Sequence, residues 1–199
     1  MIQIDRSRRL QIFDLGGVII DVDARKTLEA FGALGMPRIE SKISNSHAIG
    51  GVFSQYCDGE VTTAEFIAGV RETCKIGMAT DEEIRASWNA MLGGFRAEAI
   101  EQVRVLRREG YTTALLSNCN ELHTEYCRAH FPGPGRLDDL FDAVFFSQEI
   151  HVSKPERRAW QIVLDHFGAK GEDAAFYDDS DINVAAACGM GISGVIVGK

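Results

Sequence analysis

Short apolar runs that alternate with helical patterns predict an α/β protein built on a parallel sheet. Leu10–Phe13 is the first such run, and further runs near residues 112–117, 143–147 and 174–178 follow. A block from about residue 24 to 95 instead shows helical patterns almost throughout. We therefore expect a Rossmann-like parallel sheet core, formed by residues 1–22 and 96–199, with an inserted all-helical cap at 23–95.

The remaining elements of the core follow from residue 96 onward. A helix with apolar positions at Ile100, Val103 and Leu106 should end near Gly110, a suitable residue for a helix C-terminus. Pro155 suits the first turn of a later helix and Gly168 suits its end. The predicted elements, in order, are strand 112–117, helix 120–130, strand 143–147, helix 156–167, strand 174–178, helix 181–188 and strand 193–197.

Two capping boxes mark helix starts in the cap block. Thr62-x-x-Glu65 and Thr80-x-x-Glu83 each place a hydroxyl and a carboxylate at the positions that bind free N–H groups of a first helical turn. These signals are structural. The aromatic residues Phe53, Tyr56 and Trp88 are expected to pack the cap, with lining of a binding site as the alternative.

Composition excludes several classes of function. The 199 residues carry a net charge of −8 at a pI near 5.1, which disfavours a broad nucleic-acid-binding face. No apolar run approaches the roughly 20 residues that cross a bilayer, and we interpret the first apolar stretch as a strand, not a targeting segment. Five cysteines without a Cys-x-x-Cys pair are typical of reduced thiols, so we expect a cytoplasmic protein. Oligomeric state is left open.

Polar groups follow several of the predicted strands. Asp14 comes directly after the first strand, Ser117-Asn118 ends the second, Lys154 lies after the third, and Asp178-Asp179 ends the fourth. Because the carboxyl ends of parallel strands meet at one edge of a sheet, we expect these groups to share a crevice. Acidic groups, a hydroxyl, an amide and an ammonium together suit a magnesium ion and a phosphoryl group.

Each of these residues also has a structural explanation. Asp14 could cap a turn, although a carboxylate can act as a nucleophile toward phosphorus. Ser117 and Asn118 could be a plain helix N-cap, a role compatible with holding phosphoryl oxygens. Lys154 could be an exposed surface lysine. Asp178 and Asp179 could form a solvated acidic turn, but carboxylates this close repel each other unless a cation lies between them.

The segments FDLGGV, LLSNCN, SKPE and YDDSDIN together resemble the four motifs of the haloacid dehalogenase-like superfamily, in order and spacing, over nearly the whole chain. The sequence is most similar to the glucose-1-phosphate phosphatase-like subgroup. Members of that subgroup often have a second motif of the form Ser-Asn-x-Asn-x-x-His, matched here by Ser117, Asn118, Asn120 and His123.

The resemblance implies a magnesium-dependent phosphatase that hydrolyses a small phosphorylated metabolite, with sugar phosphates among the candidates, through an aspartyl-phosphate. It implies that Asp14 is the nucleophile and a metal ligand. The Gly16 carbonyl and Asp179 would be further ligands, with Asp178 binding directly or through water. Ser117, Asn118 and Lys154 would hold the phosphoryl group.

One departure from the superfamily concerns the leaving group. Most phosphatases of this kind have an acid/base Asp two residues after the nucleophile, where this chain has Gly16. General acid–base help is typically worth about 10²–10⁴-fold in rate, so we expect a preference for better leaving groups, such as anomeric sugar, acyl or aryl phosphates. Asp21 and Asp23 are alternative acids, although a structural role in the cap linker is favoured. His151 replaces a common glycine and is interpreted as an exposed loop residue.

Two other functions remain open from the sequence. One is a non-catalytic member of the family that binds a phosphometabolite or a partner, as the missing acid at Gly16 allows. The other is a metal-independent 2-haloacid dehalogenase, which the acidic pair Asp178-Asp179 disfavours because it would repel a carboxylate substrate.

Overall fold

The computed structural model describes residues 2–37 and 51–198. Its main sheet has five strands in the order β5-β4-β1-β6-β7, and every pairing within it is parallel. The strands are β1 (Leu10–Phe13), β4 (Thr112–Ser117), β5 (Ala143–Phe146), β6 (Ala174–Asp178) and β7 (Ser193–Ile196). The first strand of the chain is therefore central, and the sheet is extended on both sides of it.

Helices of the described residues are numbered here along the chain. Those between residues 24 and 89 are α1 (Ala24–Ala33), α2 (Val52–Cys57), α3 (Thr63–Thr73) and α4 (Asp81–Asn89). Those that follow are α5 (Ala97–Arg108), α6 (Glu121–His130), α7 (Ser147–Ile150), α8 (Arg157–Phe167) and α9 (Asp181–Cys188). Short 3₁₀ turns lie at Asp138–Leu140 and Gly171–Asp173.

Helices cover both faces of the sheet. Alternate residues of β4 belong to different hydrophobic clusters: Leu115 packs with α5, whereas Ala114 and Leu116 pack with α8. This alternation is the period-2 pattern of a strand that is buried on both faces. The predicted α/β class with a parallel sheet is thus confirmed.

The helical block is joined to the sheet by a two-stranded ribbon that the sequence did not predict. β2 (Ile20–Val22) pairs antiparallel with β3 (Leu92–Phe95), so the chain enters and leaves the block through neighbouring strands. The expectation of helix up to residue 95 was therefore wrong for 92–95. The two predicted capping boxes at Thr62 and Thr80 are both present, with reciprocal hydrogen bonds to Glu65 and Glu83.

The helical block has its own aromatic core and also contacts the sheet domain. Phe53, Tyr56, Phe66 and Trp88 are buried together, with Tyr56 and Phe66 stacked at 4.2 Å between ring centroids. Leu122 at the start of α6 belongs to this cluster. The predicted packing role of the aromatic residues is therefore present, and Phe53 and Trp88 also line the cavity described below.

Two groups of hydrogen bonds fix this block against the sheet domain. At the start of α6, Tyr56 Oη accepts from Leu122 N at 3.1 Å, and Trp88 Nε1 donates to Asn120 Oδ1 at 3.2 Å. At α7, Ser147 Oγ donates to the Cys57 carbonyl at 2.6 Å. Both anchors lie beside the ends of sheet strands.

Among residues 2–37 and 51–198, none of the helices combines the length and hydropathy that a bilayer crossing requires.

Candidate active site

The predicted site residues lie together at the carboxyl edge of the sheet. Asp14 directly follows β1, and its backbone N–H donates to the Tyr177 carbonyl of β6 at 2.9 Å. Ser117 is the last residue of β4 and Asp178 is the last residue of β6. Parallel pairing of β1 with both strands places these three polar side chains side by side.

Lys154 is the central cation of this site. Its Nζ lies 2.8 Å from Asp14 Oδ1 and 2.7 Å from Asp178 Oδ2. The lysine is only 3% exposed, so the alternative of a surface lysine is wrong. A buried ammonium between two carboxylates joins the ends of β1 and β6 by electrostatics.

Burial and like charge perturb the acids of the site. Burial, together with the charge of Asp178, raises the pKa of Asp14 to about 6 even though Lys154 opposes the shift. Burial and Asp178 also raise the pKa of Asp179. For Lys154, burial lowers the pKa, but Asp14 and Asp178 more than offset it, so the pKa is raised overall. The acids therefore carry more negative charge than the one lysine neutralises.

Asp14, Asp178 and Asp179 form a group that could hold a metal ion. One carboxylate oxygen from each lies within 4.8 Å of the others. The oxygens of Asp178 are already occupied, because Oδ1 accepts from Ser180 N at 2.8 Å and Oδ2 accepts from Lys154 and from Asn183 Nδ2. Asp14 and the more exposed Asp179 are consequently the better placed direct ligands.

Asn118 holds the main chain of Lys154. Its Nδ2 donates to the Lys154 carbonyl at 2.7 Å, and Lys154 N donates back to Asn118 Oδ1 at 2.8 Å. The amide side chain thus positions the lysine, which leaves the backbone N–H of Asn118 as its group for a phosphoryl oxygen. Ser117 is a largely buried residue that lines the cavity, and its Oγ makes no hydrogen bond to another of the described side chains or backbone groups, so it is free for a ligand.

The candidate substitutes for a general acid are engaged elsewhere. Asp21 forms an ion pair with Arg96 Nε at 2.6 Å, and Arg96 also donates to the Gly17 carbonyl. Asp23 caps α1 and pairs with Arg25, which lowers the pKa of this carboxyl to about 2. These contacts support the structural role expected for both residues. Gly16 lines the cavity described below, between Asp14 and the ribbon.

The histidines near the site are structural. His123 is buried, its Nε2 lies 3.1 Å from the Trp88 carbonyl, and burial lowers its pKa to about 4. His123 is therefore neutral at physiological pH. His151 is exposed, and its backbone lies in the left-handed region with φ of 51°. Glycine is the residue least strained in this conformation.

A cavity of about 500 Å³ lies between the acidic edge and the helical block. Asp14, Ser117, Asn118, Lys154 and Asp179 line one end of it. Ligand sites typically have volumes of about 300–1,000 Å³. The arrangement therefore presents a buried carboxylate, a cation and a free hydroxyl to a small molecule.

A family model described as haloacid dehalogenase-like hydrolase matches residues 9–191. The chain belongs to this family. The superfamily predicted from the four motifs is thus confirmed, and with it the prediction of a hydrolase. The glucose-1-phosphate phosphatase-like subgroup stays a prediction.

Relatives of this haloacid dehalogenase-like hydrolase include named phosphatases. The chain is 26% identical over 175 residues to a D-ribitol-5-phosphate phosphatase of Bacteroides thetaiotaomicron, covering 87% of this chain and 84% of the relative. It is similar to the crystal structure of a HAD family enzyme from the same species in complex with magnesium and inorganic phosphate, with a TM-score of 0.86, 30% identity and 96% of each chain covered. A HAD-like hydrolase structure from Porphyromonas gingivalis has a TM-score of 0.84 at 26% identity, covering 95% of this chain and 90% of the other.

Proposed function

We propose that the chain is a magnesium-dependent phosphatase that hydrolyses a small phosphate monoester through a phosphorylated Asp14. The observation that carries this proposal is the group of Asp14, Asp178 and Asp179 around buried Lys154. The phosphatase relatives, and the magnesium and phosphate bound to a structural relative, support it.

The residues present fit a magnesium ion. Three clustered carboxylates offset by one lysine leave an excess of negative charge, and magnesium prefers oxygen ligands of this kind. Asp14, Asp179 and the Gly16 carbonyl would hold the ion, with Asp178 acting directly or through water. When bound, the ion would neutralise charge on the phosphoryl group.

The chain's own groups then account for the two steps. A carboxylate oxygen of Asp14 attacks phosphorus, the bond between phosphorus and the ester oxygen breaks, and the leaving oxygen takes a proton from water to become an alcohol. Water next attacks the aspartyl-phosphate, which returns free Asp14 and inorganic phosphate. Lys154, Ser117 Oγ and the backbone N–H of Asn118 hold the equatorial oxygens, so positioning and charge neutralisation provide most of the acceleration.

Within the described part of the chain, the site has no evident general acid to protonate the leaving group. Gly16 provides no acid, and Asp21 and Asp23 are held by Arg96 and Arg25. We therefore expect aryl and acyl phosphates to react faster than alkyl phosphates, since their leaving groups need little protonation. The ribitol phosphate named for the relative makes sugar phosphates a further class to test.

A screen of phosphorylated metabolites with and without magnesium tests the proposal. Phosphate release should require magnesium and should be abolished in Asp14→Asn. Binding of beryllofluoride to the wild type but not to Asp14→Asn would report the acyl-phosphate state. A family member that binds without catalysis would release no phosphate from any ester, and a dehalogenase would release halide from a 2-haloacid in the presence of a chelator.

A further inference from the structure

The cavity above Asp14 has two ends of different chemistry. All of its charged lining residues within the described chain, Asp14, Lys154, Asp178 and Asp179, lie at the sheet edge. The opposite side is lined by apolar side chains from the ribbon and the helical block. We call this surface the apolar wall; its main members are Val22, Leu28, Phe31, Phe53, Met91 and Leu92.

The polar side chains next to the apolar wall already have partners. Thr27 Oγ1 donates to the Trp88 carbonyl at 3.0 Å and accepts from Met91 N at 3.2 Å. Asn120 Oδ1 accepts from Trp88 Nε1, and its Nδ2 lies 3.1 Å from His123 Nδ1. Thr73, which is exposed at the end of α3, is the remaining hydroxyl on this side among the described residues. Within residues 2–37 and 51–198, the wall therefore presents almost no free donor or acceptor to a ligand.

Exposed apolar side chains gather at the same cavity. Val22 and Ile182, with exposures of 43% and 66%, are two of the four large hydrophobic residues exposed in the described chain, and both line the cavity. Exposed apolar side chains that line a concave site are typical of a site that binds an apolar group.

The size of the cavity also argues for a ligand. Its volume of about 500 Å³ lies within the range of about 300–1,000 Å³ that ligand sites typically have. The half-buried residues Leu28, Met91 and Leu92 are among the described residues that line this cavity.

We propose that the alcohol portion of the substrate is apolar, so that the ligand is an alkyl or aryl phosphate without hydroxyl groups. This rests on the proposed function for the cleavage step. A polyhydroxylated chain placed against the apolar wall would lose its hydrogen bonds to water without replacement. A hydrocarbon would instead gain from burial. This ligand class differs from the polyol phosphate in the name of the curated relative.

Non-hydrolysable phosphonates separate binding from catalysis. Calorimetry with magnesium and n-alkylphosphonates from methyl to hexyl should show Kd falling about three- to fourfold per methylene. A polyhydroxylated phosphonate of equal carbon number should bind at least about tenfold more weakly than the alkyl compound. Affinity that is independent of chain length, or equal affinity for the polyhydroxylated compound, would overturn the proposal.

Variants locate the effect on the apolar wall. Leu28→Ala, and separately Leu92→Ala, should raise the Kd of hexylphosphonate several-fold and leave methylphosphonate nearly unchanged. Met78→Ala removes a 97% exposed side chain that does not line the cavity and should change neither value. An unchanged Kd for hexylphosphonate in both wall variants would contradict the assignment.

Acetyl phosphate reports the proposed catalysis independently, since its short acyl group needs no contact with the wall. If acetyl phosphate is not hydrolysed while the phosphonate series remains steep, the phosphatase proposal fails and the apolar site stands. If acetyl phosphate is hydrolysed but the Kd of the alkylphosphonates does not change with chain length, the phosphatase proposal stands and the apolar site fails.

Discussion

Gly17 and Asp179 approach each other so closely that no side chain fits between them. A Cβ atom built on Gly17 would overlap Asp179 Oδ2 and lie 2.6 Å from Asp179 Cγ. Gly17 also has φ of 69°, in the left-handed region. A glycine in the loop after β1 thus allows the last acid of the sheet edge to reach Asp14.

Gly17→Ala is expected to displace the Asp179 carboxylate and weaken metal binding. Changes next to a metal ligand typically cost about 10–100-fold in affinity, so the magnesium concentration for half-maximal activity should rise by about that factor. Magnesium titration of phosphatase activity measures it.

Gly110→Ala is the control for that variant. Gly110 has φ of 84° and nothing within 4 Å of a built Cβ. The Gly110→Ala variant therefore has the same backbone strain as Gly17→Ala, about 1–2 kcal/mol, but no steric overlap. An equal loss of magnesium affinity in both variants would refute the steric argument.

Asp14→Asn is expected to stabilise the metal-free protein at neutral pH. The pKa of Asp14 is about 6 in the folded state and near 3.8 when unperturbed, so its ionisation in the fold is unfavourable. The stability associated with its protonated form is complete below about pH 4 and is lost as pH rises through about 6. At pH 7.5 in chelator, the variant should gain about 1–3 kcal/mol in free energy of unfolding.

Chemical denaturation of the wild type and Asp14→Asn at pH 4 and pH 7.5 tests whether the free energy of unfolding rises in the variant. The gain should be largely lost at pH 4, where Asp14 is protonated in the folded state and roughly half protonated in the unfolded state. Asp23→Asn is the opposite control, because the pKa of Asp23 is lowered to about 2 by Arg25 and its removal should not stabilise the protein at neutral pH. A destabilised Asp14→Asn variant at pH 7.5 would contradict the prediction.

Lys154→Met should destabilise the protein and abolish most of its activity. Removal of the cation leaves Asp14 and Asp178 buried without their shared partner, and breaking a buried ion pair from one side typically costs about 3–5 kcal/mol. Loss of a group that stabilises transition-state charge lowers kcat by about 10²–10³-fold. Denaturation in chelator and steady-state kinetics with magnesium provide the two measurements.

A lysine at the protein surface serves as the comparison. Lys170 pairs with Glu172 at 3.9 Å, and its side chain is 81% exposed. Exposed pairs contribute little, so Lys170→Met should leave both quantities close to those of the wild type. Wild-type kcat in Lys154→Met would exclude the proposed role of Lys154.

Asn118→Ala should lower kcat through loss of the position of Lys154. Two hydrogen bonds, each worth roughly 0.5–1.5 kcal/mol net, hold the lysine backbone, so a fall of about 10–100-fold is expected. Asn89→Ala removes an amide whose Oδ1 has no partner in the described chain, and should not change kcat. An unchanged kcat in Asn118→Ala would show that Lys154 is held by its ion pairs alone.

Local sequence patterns were sufficient for the sheet domain. β4, β6 and α9 have the bounds expected from the sequence, because short apolar runs end there at polar residues or begin at caps. One small difference is at Pro155: the following helix begins at Arg157, so the proline lies before the cap and not in the first turn.

Contacts between residues far apart in the chain could not be predicted from the sequence. The Gly93-Gly94 pair is not typical of a strand, so the local sequence does not predict β3. The strand forms because it pairs with β2, which lies about 70 positions earlier in the chain. Sequence spacing likewise predicts that Asn118 and Lys154 meet at one edge, but not that the amide binds the lysine backbone. Apolar residues of the helical block carry no periodic signal that separates cavity lining from core.

The hydrogen bonds that hold the helical block against the sheet domain involve residues close to those that would hold the phosphoryl group. Asn120, which binds Trp88, lies three positions from Ser117, and Ser147, which binds Cys57, also accepts from Cys119 N at 3.0 Å. Any hinge movement that admits a ligand must therefore strain the same short loop that orients the reacting group. The two anchors therefore connect the helical block to the loop that orients the reacting group, and we expect that loosening either anchor slows turnover even when every acid stays in place.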